Sequence, residues 1–488
     1  MTFWIILFII FVQHFQSAEL DNLENVRVQL SPRGIDFMAG KFRKYAFERY
    51  HDLSRRKIDN FSIEHQQTEY HFHYIHLSRF KVGQVGVALG RSGLLLAFHQ
   101  ISAKLHGIWS SKIPSWTGGS HSQNGWIRGQ IKDFYAAITV KNHRNNSDLL
   151  HCNVNPRNVE IRFVGHTGLT FRKLSSQVAN QVKLSLVDLL CEESREIVTK
   201  FWEKNLATDQ YFHYDGNFGL EYTSLNFGID SNQVAVIISG EFQWIQEGLI
   251  PDVEFVIIHE NEFSLNQTAN FCGNESTMVA LEFSDKIINS LLTLANRHYL
   301  LQYYITKNTV SPLFRKHMNL ICGGECFESA LSSELQERYA NSSVEIFVSA
   351  TKIPKFTVTP SYGLLDFTGH VSYYARLPSN MSEYLLTMNV NLILSIDINF
   401  SERMLFASVQ DVLKFDTDLR QSQIGHLNQT LQKQLFMVFN SMFLIPRLNS
   451  LGSAGLPIPL SVELELINSE ITLLPGKVQI CADFLDYE

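Results

Sequence analysis

Residues 169 to 215 contain neither glycine nor proline, and Leu174, Val178, Val182, Leu186 and Leu190 recur there every four residues. That spacing lines one face of an α-helix. A helix from about Phe171 to Lys204 is roughly 50 Å long at about 1.5 Å per residue. This exceeds the width of an ordinary compact domain, so the body beneath it is expected to be elongated. Adding 253 to each position gives Leu427, Leu431, Leu435, Phe439 and Phe443, all apolar. The same shift carries Leu30-Ser31 onto Phe283-Ser284, Ile35 onto Ile288 and Met38 onto Leu291. Repeated matching at one offset indicates a duplicated domain, against the plainer account that two apolar helices match by chance.

A chain of 488 residues accommodates two or three domains. With 45% hydrophobic and 18% charged residues it can bury large cores, which argues against disorder. The net charge of -7 is unevenly spread: Glu19 to Asp230 holds 26 Lys+Arg against 21 Asp+Glu, and the remainder 15 against 27. Between Tyr70 and Ser147 the basic residues include Lys104, Lys112, Arg128 and Lys132, and the only acid is Asp133. This stretch reads either as a solvated sheet surface or as a surface for anionic head groups.

The apolar run Phe3 to Val12, followed by small residues near Ser17-Ala18, reads as a cleaved secretory signal. No later run reaches the roughly 18 apolar residues of a membrane span. Sequons at Asn60, Asn145, Asn266, Asn274, Asn341, Asn380, Asn399 and Asn428 agree with export. The six cysteines then belong to an oxidising compartment. Cys152 lies in a strand or at its edge and Cys191 on the long helix, so a bridge between them would pin helix to sheet. Cys272, Cys322, Cys326 and Cys481 leave three pairings open. Structural disulfides are favoured over a metal or redox role for Cys322-Gly-Gly-Glu-Cys326.

Val26 to Leu30 reads as a strand, and Ser31-Pro32 opens a helix to about Asp52, with Ser31 as cap. Ile35, Met38, Phe42 and Tyr45 or Ala46 share its buried face. Gln84 to Leu89 and Ile101 to Trp109 alternate as strands. Ile113 to Gly125 reads as a hairpin tip, and Trp126 to Val140 as the returning strand. One more strand is expected within 153–165. Strand stretches occupy Gly216 to Trp244, Asn232-Gln233 reads as a turn, and Gly248 to Pro251 as a link. The second half repeats the order: a strand near Met278 to Phe283, a helix from Ser284 to Arg297, strands from Glu345 to Leu413, and a long helix ending near Leu444, where Pro446 would end or kink it. The tail, Leu460 to Phe484, is expected to pair with residues 216–244.

No Gly-x-Ser-x-Gly elbow, P-loop, Gly-x-Gly-x-x-Gly or His-Glu-x-x-His occurs. His71, His73 and His76 form the best metal candidate, but on a regular strand His76 points away from the other two. The expectation is therefore a protein without catalytic residues, metal or cofactor, and without a nucleic-acid partner.

Val28-Gln29-Leu30-Ser31-Pro32-Arg33-Gly34-Ile35-Asp36, Gly93-Leu94 through Gly107-Ile108-Trp109, Gly240-Glu241-Phe242, Pro446-Arg447-Leu448-Asn449 and Gly455-Leu456-Pro457-Ile458-Pro459 carry a family likeness in their order. The chain resembles the secreted lipid-binding proteins that include bactericidal/permeability-increasing protein, lipopolysaccharide-binding protein, and the phospholipid and cholesteryl ester transfer proteins, most like an invertebrate member. Cys152 and Cys191 match the spacing of that family's shared disulfide. The resemblance implies an α+β fold: an elongated boomerang of two duplicated barrel-like domains, each a twisted antiparallel sheet on long helices, joined by a central sheet. The expected divisions are a signal at 1–18, barrels at 19–215 and 251–450, a central sheet and linker at 216–250, and return strands at 451–488. Apolar pockets for acyl chains are implied under the helices, lined by Met38, Phe42, Val85, Val87, Val178, Val182, Leu291, Leu431 and Leu435. Burial of each chain methylene contributes about 0.8 kcal/mol.

The expected function is non-enzymatic and extracellular: a monomer that binds phospholipid or lipopolysaccharide in innate defence. Lys104, Lys112, Arg128 and Lys132 would face anionic membranes. Transfer of phospholipid or sterol without microbial recognition is the binding-class alternative, and a secreted lipid hydrolase the enzymatic one. In endotoxin-binding members the strand around the tryptophan is densely basic; here Trp109 is flanked by Ile108 and Ser110, and the tip, Ile113 to Gly125, is neutral and aromatic.

Overall fold

The structure is a computed structural model. It describes residues 25–485 apart from 53–55, 91–92, 115–119, 141–149, 156–157, 167, 207–208, 216–217, 230–233, 245–271, 273–276, 311, 313–314, 322–330, 426, 428 and 462. The expected signal, the turn at Asn232-Gln233, the link at Gly248 to Pro251, Cys322, Cys326 and the sequons Asn145, Asn266, Asn274 and Asn428 lie outside the described residues.

The first half runs β1 (Val26–Leu30), α1 (Pro32–Asp52), β2 (Lys57–Ile58), β3 (Phe61–His65), β4 (Thr68–Lys81), β5 (Gln84–Gly90), β6 (Gly93–Pro114), β7 (Ser120–Val140), β8 (Leu150–Asn155), β9 (Asn158–Phe163) and α2 (Leu169–Leu206). Then come β10 (Asp209–Asp215), β11 (Phe218–Ile229) and β12 (Val234–Trp244). The second half runs β13 (Val279–Ser284), α3 (Lys286–Arg297), β14 (Gln302–Ile305), α4 (Ser333–Arg338), β15 (Ser343–Ala350), β16 (Lys355–Val358), β17 (Gly363–Arg376), β18 (Ser382–Ser401) and β19 (Met404–Ser422). It closes with α5 (Gln429–Phe439), a π-helical turn (Asn440–Leu444), α6 (Ile445–Gly452), β20 (Leu456–Pro457), β21 (Leu466–Leu474) and β22 (Lys477–Phe484).

These elements form an α+β fold of two barrel-like halves. Strands β2 to β9 make one antiparallel sheet, β14 to β20 a second, and a central sheet takes strands from both halves in the order β10-β11-β12-β1-β13-β22-β21. Ser31 caps α1 as its sequence predicts, its Oγ accepting the Gly34 amide at 3.2 Å. Ile35, Met38, Phe42 and Ala46 are buried on the inner face of α1. Leu174, Val178, Val182, Leu186 and Leu190 are all buried along α2, which packs across β7, β8 and β9. Cys152 and Cys191 are bonded, tying α2 to β8. Of the pairings left open for the other cysteines, Cys272–Cys481 is the one formed.

The offset of 253 is visible in space. Strands β1 and β13 pair antiparallel with Val28 opposite Leu281, which is its own counterpart under that shift. The Ser31 amide donates to the Met278 carbonyl at 3.1 Å, and the Ser284 amide donates to the Asn25 carbonyl at 2.7 Å. Under the shift, Ser31 becomes Ser284 and Asn25 becomes Met278, so the two hydrogen bonds are mates about a local two-fold axis. The strands outside this pair follow suit, β12 and β11 on one side and β22 and β21 on the other, with β10 added at one edge.

Four local readings are corrected. The second long helix does not end near Leu444: Leu444 and Ile445 keep helical backbone, and the chain runs through the π turn into α6, with Pro446, which has no amide to donate, just after that turn. Strands β6 and β7 stay paired up to Pro114 and Ser120, so the hairpin tip is shorter than Ile113 to Gly125. Residues 150–163 give two strands, both paired with β7. The tail joins the sheet of β11 and β12 but pairs with β13, because β1 and β13 stand between them.

Candidate functional site

The second half contains a cavity of 220 Å³. Its wall comes from α3 (Leu291, Leu292, Ala295), the segment after it (Leu300, Leu301), the inner face of the second sheet (Val348, Phe367, Leu392, Leu394), Phe218 of the central sheet, and the last long helix. That helix contributes Phe439, Phe443, Leu444, Arg447, Leu448 and Leu451, a spacing that keeps one face toward the cavity through the π turn. A π turn admits an extra residue without ending the helix and recurs at functional sites. Arg447 is the charged residue among the described liners and is exposed, which sets its guanidinium at the rim. The interior offers hydrocarbon contact and little hydrogen bonding, so the chemistry it suits is an apolar chain with any polar end at the opening.

The rim is braced from the central sheet. The Phe218 ring meets Trp244 edge-on at 5.4 Å, and Trp244 stacks on His298 at 4.2 Å, just beyond α3. Tyr222 crosses from β11 to donate its hydroxyl to the Pro457 carbonyl at 2.6 Å, and burial pushes that phenol far above its ordinary pKa.

The sequence-predicted pocket residues divide between the halves. Leu291 is on the cavity wall. Met38, Phe42, Val85, Val178 and Val182 are buried in the first half's core, and Val87 is partly buried against it. Val178 and Val182 expose none of their surface, and Phe42 packs edge-on against Phe201 at 5.1 Å. The side chains of Leu431 and Leu435 lie outside the described residues. Phe439 and Phe443 were legible as the continuation of the four-residue repeat. Phe218 and Arg447 were not, since a strand terminus and a surface arginine carry no periodic signal.

Lys104, Lys112, Arg128 and Lys132 are all exposed on strands β6 and β7. Lys104 stands opposite Gln130, Arg128 opposite His106 and Arg162, Lys132 opposite Asn158, and Lys112 opposite Glu69. Trp109 of the same strand turns inward, fully buried, against Tyr70, Phe163, His166 and Phe171. His71 is engaged at both ring nitrogens, Nδ1 with the Ser62 hydroxyl at 2.7 Å and Nε2 at 3.7 Å from Glu69. Tyr74 has φ 54, and the pairing of β4 with β6 shifts between His73 and His76. The inserted residue returns His76 to the outer face, opposite to the reading from regular alternation. Among the described residues no group of three or more His, Cys, Asp or Glu is placed to hold a metal ion. Among them, too, no helix is long and apolar enough to cross a membrane. Asn60, Asn341, Asn380 and Asn399 are exposed.

Two barrel-like halves sharing a dyadic central sheet, one with an apolar cavity beneath its last long helix, define the class of protein. The chain belongs to the LBP / BPI / CETP family: the model of that family's C-terminal domain matches residues 217–485. It is 20% identical over 396 residues to a bactericidal permeability-increasing protein of Sebastes schlegelii, covering 80% of each chain. It is 20% identical over 336 residues to a lipopolysaccharide-binding protein of Bos taurus, covering 68% of this chain and 65% of that one. A crystal structure of lipopolysaccharide binding protein aligns over 95% of this chain and 99% of its own, with 14% identity and a TM-score of 0.45.

Proposed function

We propose that this is a secreted, non-enzymatic lipid-binding protein of innate defence, which takes acyl chains of phospholipid or lipopolysaccharide into apolar pockets. The observation that carries the reading is the cavity of 220 Å³ walled by Leu291, Phe367, Leu394, Phe439 and Phe443, with Arg447 at its rim. Each methylene buried there contributes about 0.8 kcal/mol, so an acyl chain supplies its own driving force and the rim has only to hold a polar end. The names of the relatives support lipopolysaccharide as one cargo. The basic residues Lys104, Lys112, Arg128 and Lys132 bring the first half to anionic surfaces, with any glycans on the exposed sequons.

Native mass spectrometry of the purified full chain, followed by organic extraction, tests the reading: co-purified phospholipid or lipid A is expected. A protein that carries no lipid and takes none up from vesicles overturns it. A lipopolysaccharide pull-down set beside a vesicle-to-vesicle transfer assay separates defence from transport, and release of free fatty acid would reveal a hydrolase.

A further inference from the structure

We propose that the junction of the two halves holds a polar site, a cleft on the central sheet that binds the phosphate group of a small molecule through Arg27, helped by Lys477 and Ser284. The site is separate from the apolar cavity and does not depend on lipid being carried there.

The cleft has a volume of 210 Å³ and lies where β12, β1, β13 and β22 run side by side. Its wall takes Asn25, Arg27 and Ile237 from the first half and Glu282, Ser284 and Lys477 from the second, with the turn between β21 and β22 at its edge. That turn is fixed from both sides: the Gly476 amide donates to the Val358 carbonyl at 2.9 Å, and the Gly476 carbonyl accepts the Asp285 amide at 3.0 Å. The edge is therefore built before a ligand arrives, which lowers the cost of binding. A single water needs about 10–15 Å³, so there is room for a phosphate with a small organic group.

Arg27 and Glu282 stand directly opposite each other on paired strands. Directly opposed side chains share one side of a sheet, yet no ion pair joins these two. Glu282 is buried and already engaged: one carboxylate oxygen accepts from Lys477 at 3.1 Å and the other from Gln479 at 3.3 Å. Arg27 is half-buried, and among the described residues its guanidinium has neither a hydrogen bond nor an ion pair. A shielded charge without a partner is costly, and an anion in the cleft removes that cost. The planar fork of an arginine matches two oxygens of a phosphate. Lys477 keeps ammonium protons beyond the one given to Glu282, and Ser284, whose oxygen accepts the Lys286 amide at 3.3 Å, keeps its hydroxyl proton.

Two cations against one carboxylate leave the described wall positive. Asn25 is committed at both ends of its amide to Gly240, and Asp285, which is not on the wall, accepts the Val358 amide at 3.3 Å. The sheet itself does not call for these charges. Under the offset of 253, Arg27 corresponds to Ala280 and Glu282 to Gln29, so the local dyad offers the same strand positions with neither charge. Packing of the Arg27 stem on Ile237, its neighbour across the strands, would account for the methylenes and leave the guanidinium without a role.

The test is calorimetric titration of the full chain with glycerol 3-phosphate at constant ionic strength, with glycerol as the uncharged control. Saturable binding is expected, with a rise of a few degrees in melting temperature at about 100 times the Kd. R27Q should weaken binding about tenfold or more, and R27K, which keeps the charge and loses the fork, should weaken it as well. E282Q removes the carboxylate and releases Lys477, so it should tighten binding. K316Q, at an exposed residue off the wall, should leave it unchanged. Melting curves check that each variant folds, and R27K decides the matter if R27Q does not. Dissolved dihexanoyl phosphatidic acid presents the phosphate as a lipid head group. If it alone binds, and loses affinity in R27Q and R27K, the phosphate site stands and its source is lipid. Binding of neither compound, or binding that R27Q and R27K leave unchanged, overturns the site, and co-purified lipid still decides the cavity separately.

Discussion

At the scale of single residues, three positions show chemistry that composition hides. A Cβ on Gly34 would stand 2.1 Å from the Met278 carbonyl oxygen, the atom that receives the Ser31 amide. Gly34→Ala is therefore expected to destabilise the protein by about 1–3 kcal/mol in urea titration, because backbone has no rotamer with which to yield. Arg403 gathers the carbonyls of Leu460, Ser461 and Leu464 with one guanidinium, the last at 3.0 Å. Arg403→Met keeps the stem, strips those acceptors, and should cost about 2–4 kcal/mol by the same measurement. The His370 ring is desolvated and lies against the Arg420 guanidinium, which together hold its pKa below the ordinary imidazole value. The folded state then takes up a proton less readily than the unfolded chain. Stability present above about pH 6.5 is lost as pH falls through the imidazole range, and His370→Gln should flatten the fall in melting temperature between about pH 7.5 and 5.5. The Ser-Pro-Arg-Gly motif was legible as letters, but the reason for its glycine was not, since Met278 comes 244 residues later.

At the scale of elements, helices were read more fully than sheets. A helix records its buried face within its own sequence, so the repeat from Leu174 to Leu190 located α2 and its inner side, and Ser31 marked the start of α1. Strand partners are chosen by residues far away. The placement of β1 beside β13, and of the tail beyond it, could not be read from either strand alone. The cavity was legible only in part for a related reason: a slot and a filled core are lined by the same apolar residues. Leu291 lines the cavity and Val178 is buried in the first half's core, with nothing in their spacing to tell them apart. The bond between Cys152 and Cys191 spans 39 residues and joins helix to sheet. Replacing both by serine should lower stability by about 2–4 kcal/mol and release α2 first, seen as faster amide exchange along 174–190 than elsewhere.

At the scale of the whole molecule, the halves meet along the Val28–Leu281 pairing, with the Phe37 ring stacked on Phe484 at 5.1 Å and Arg33 reaching Asp483 at 3.4 Å. The cavity belongs to the second half, so filling it should spare that junction. Ala295→Trp is expected to reduce co-purified lipid without shifting the melting temperature by more than a few degrees, measured by mass spectrometry and calorimetry on one preparation. Undiminished lipid would move the cargo elsewhere. The symmetry of the junction carries a consequence of its own. Without the other half, each share of the central sheet would end in an unpaired apolar margin, β1 in one and β13 in the other. A margin that fits its own rotated likeness also fits a second molecule bearing it. Either half made alone is expected to pair with a twin along that margin, and sedimentation of the isolated half as a monomer would refute this.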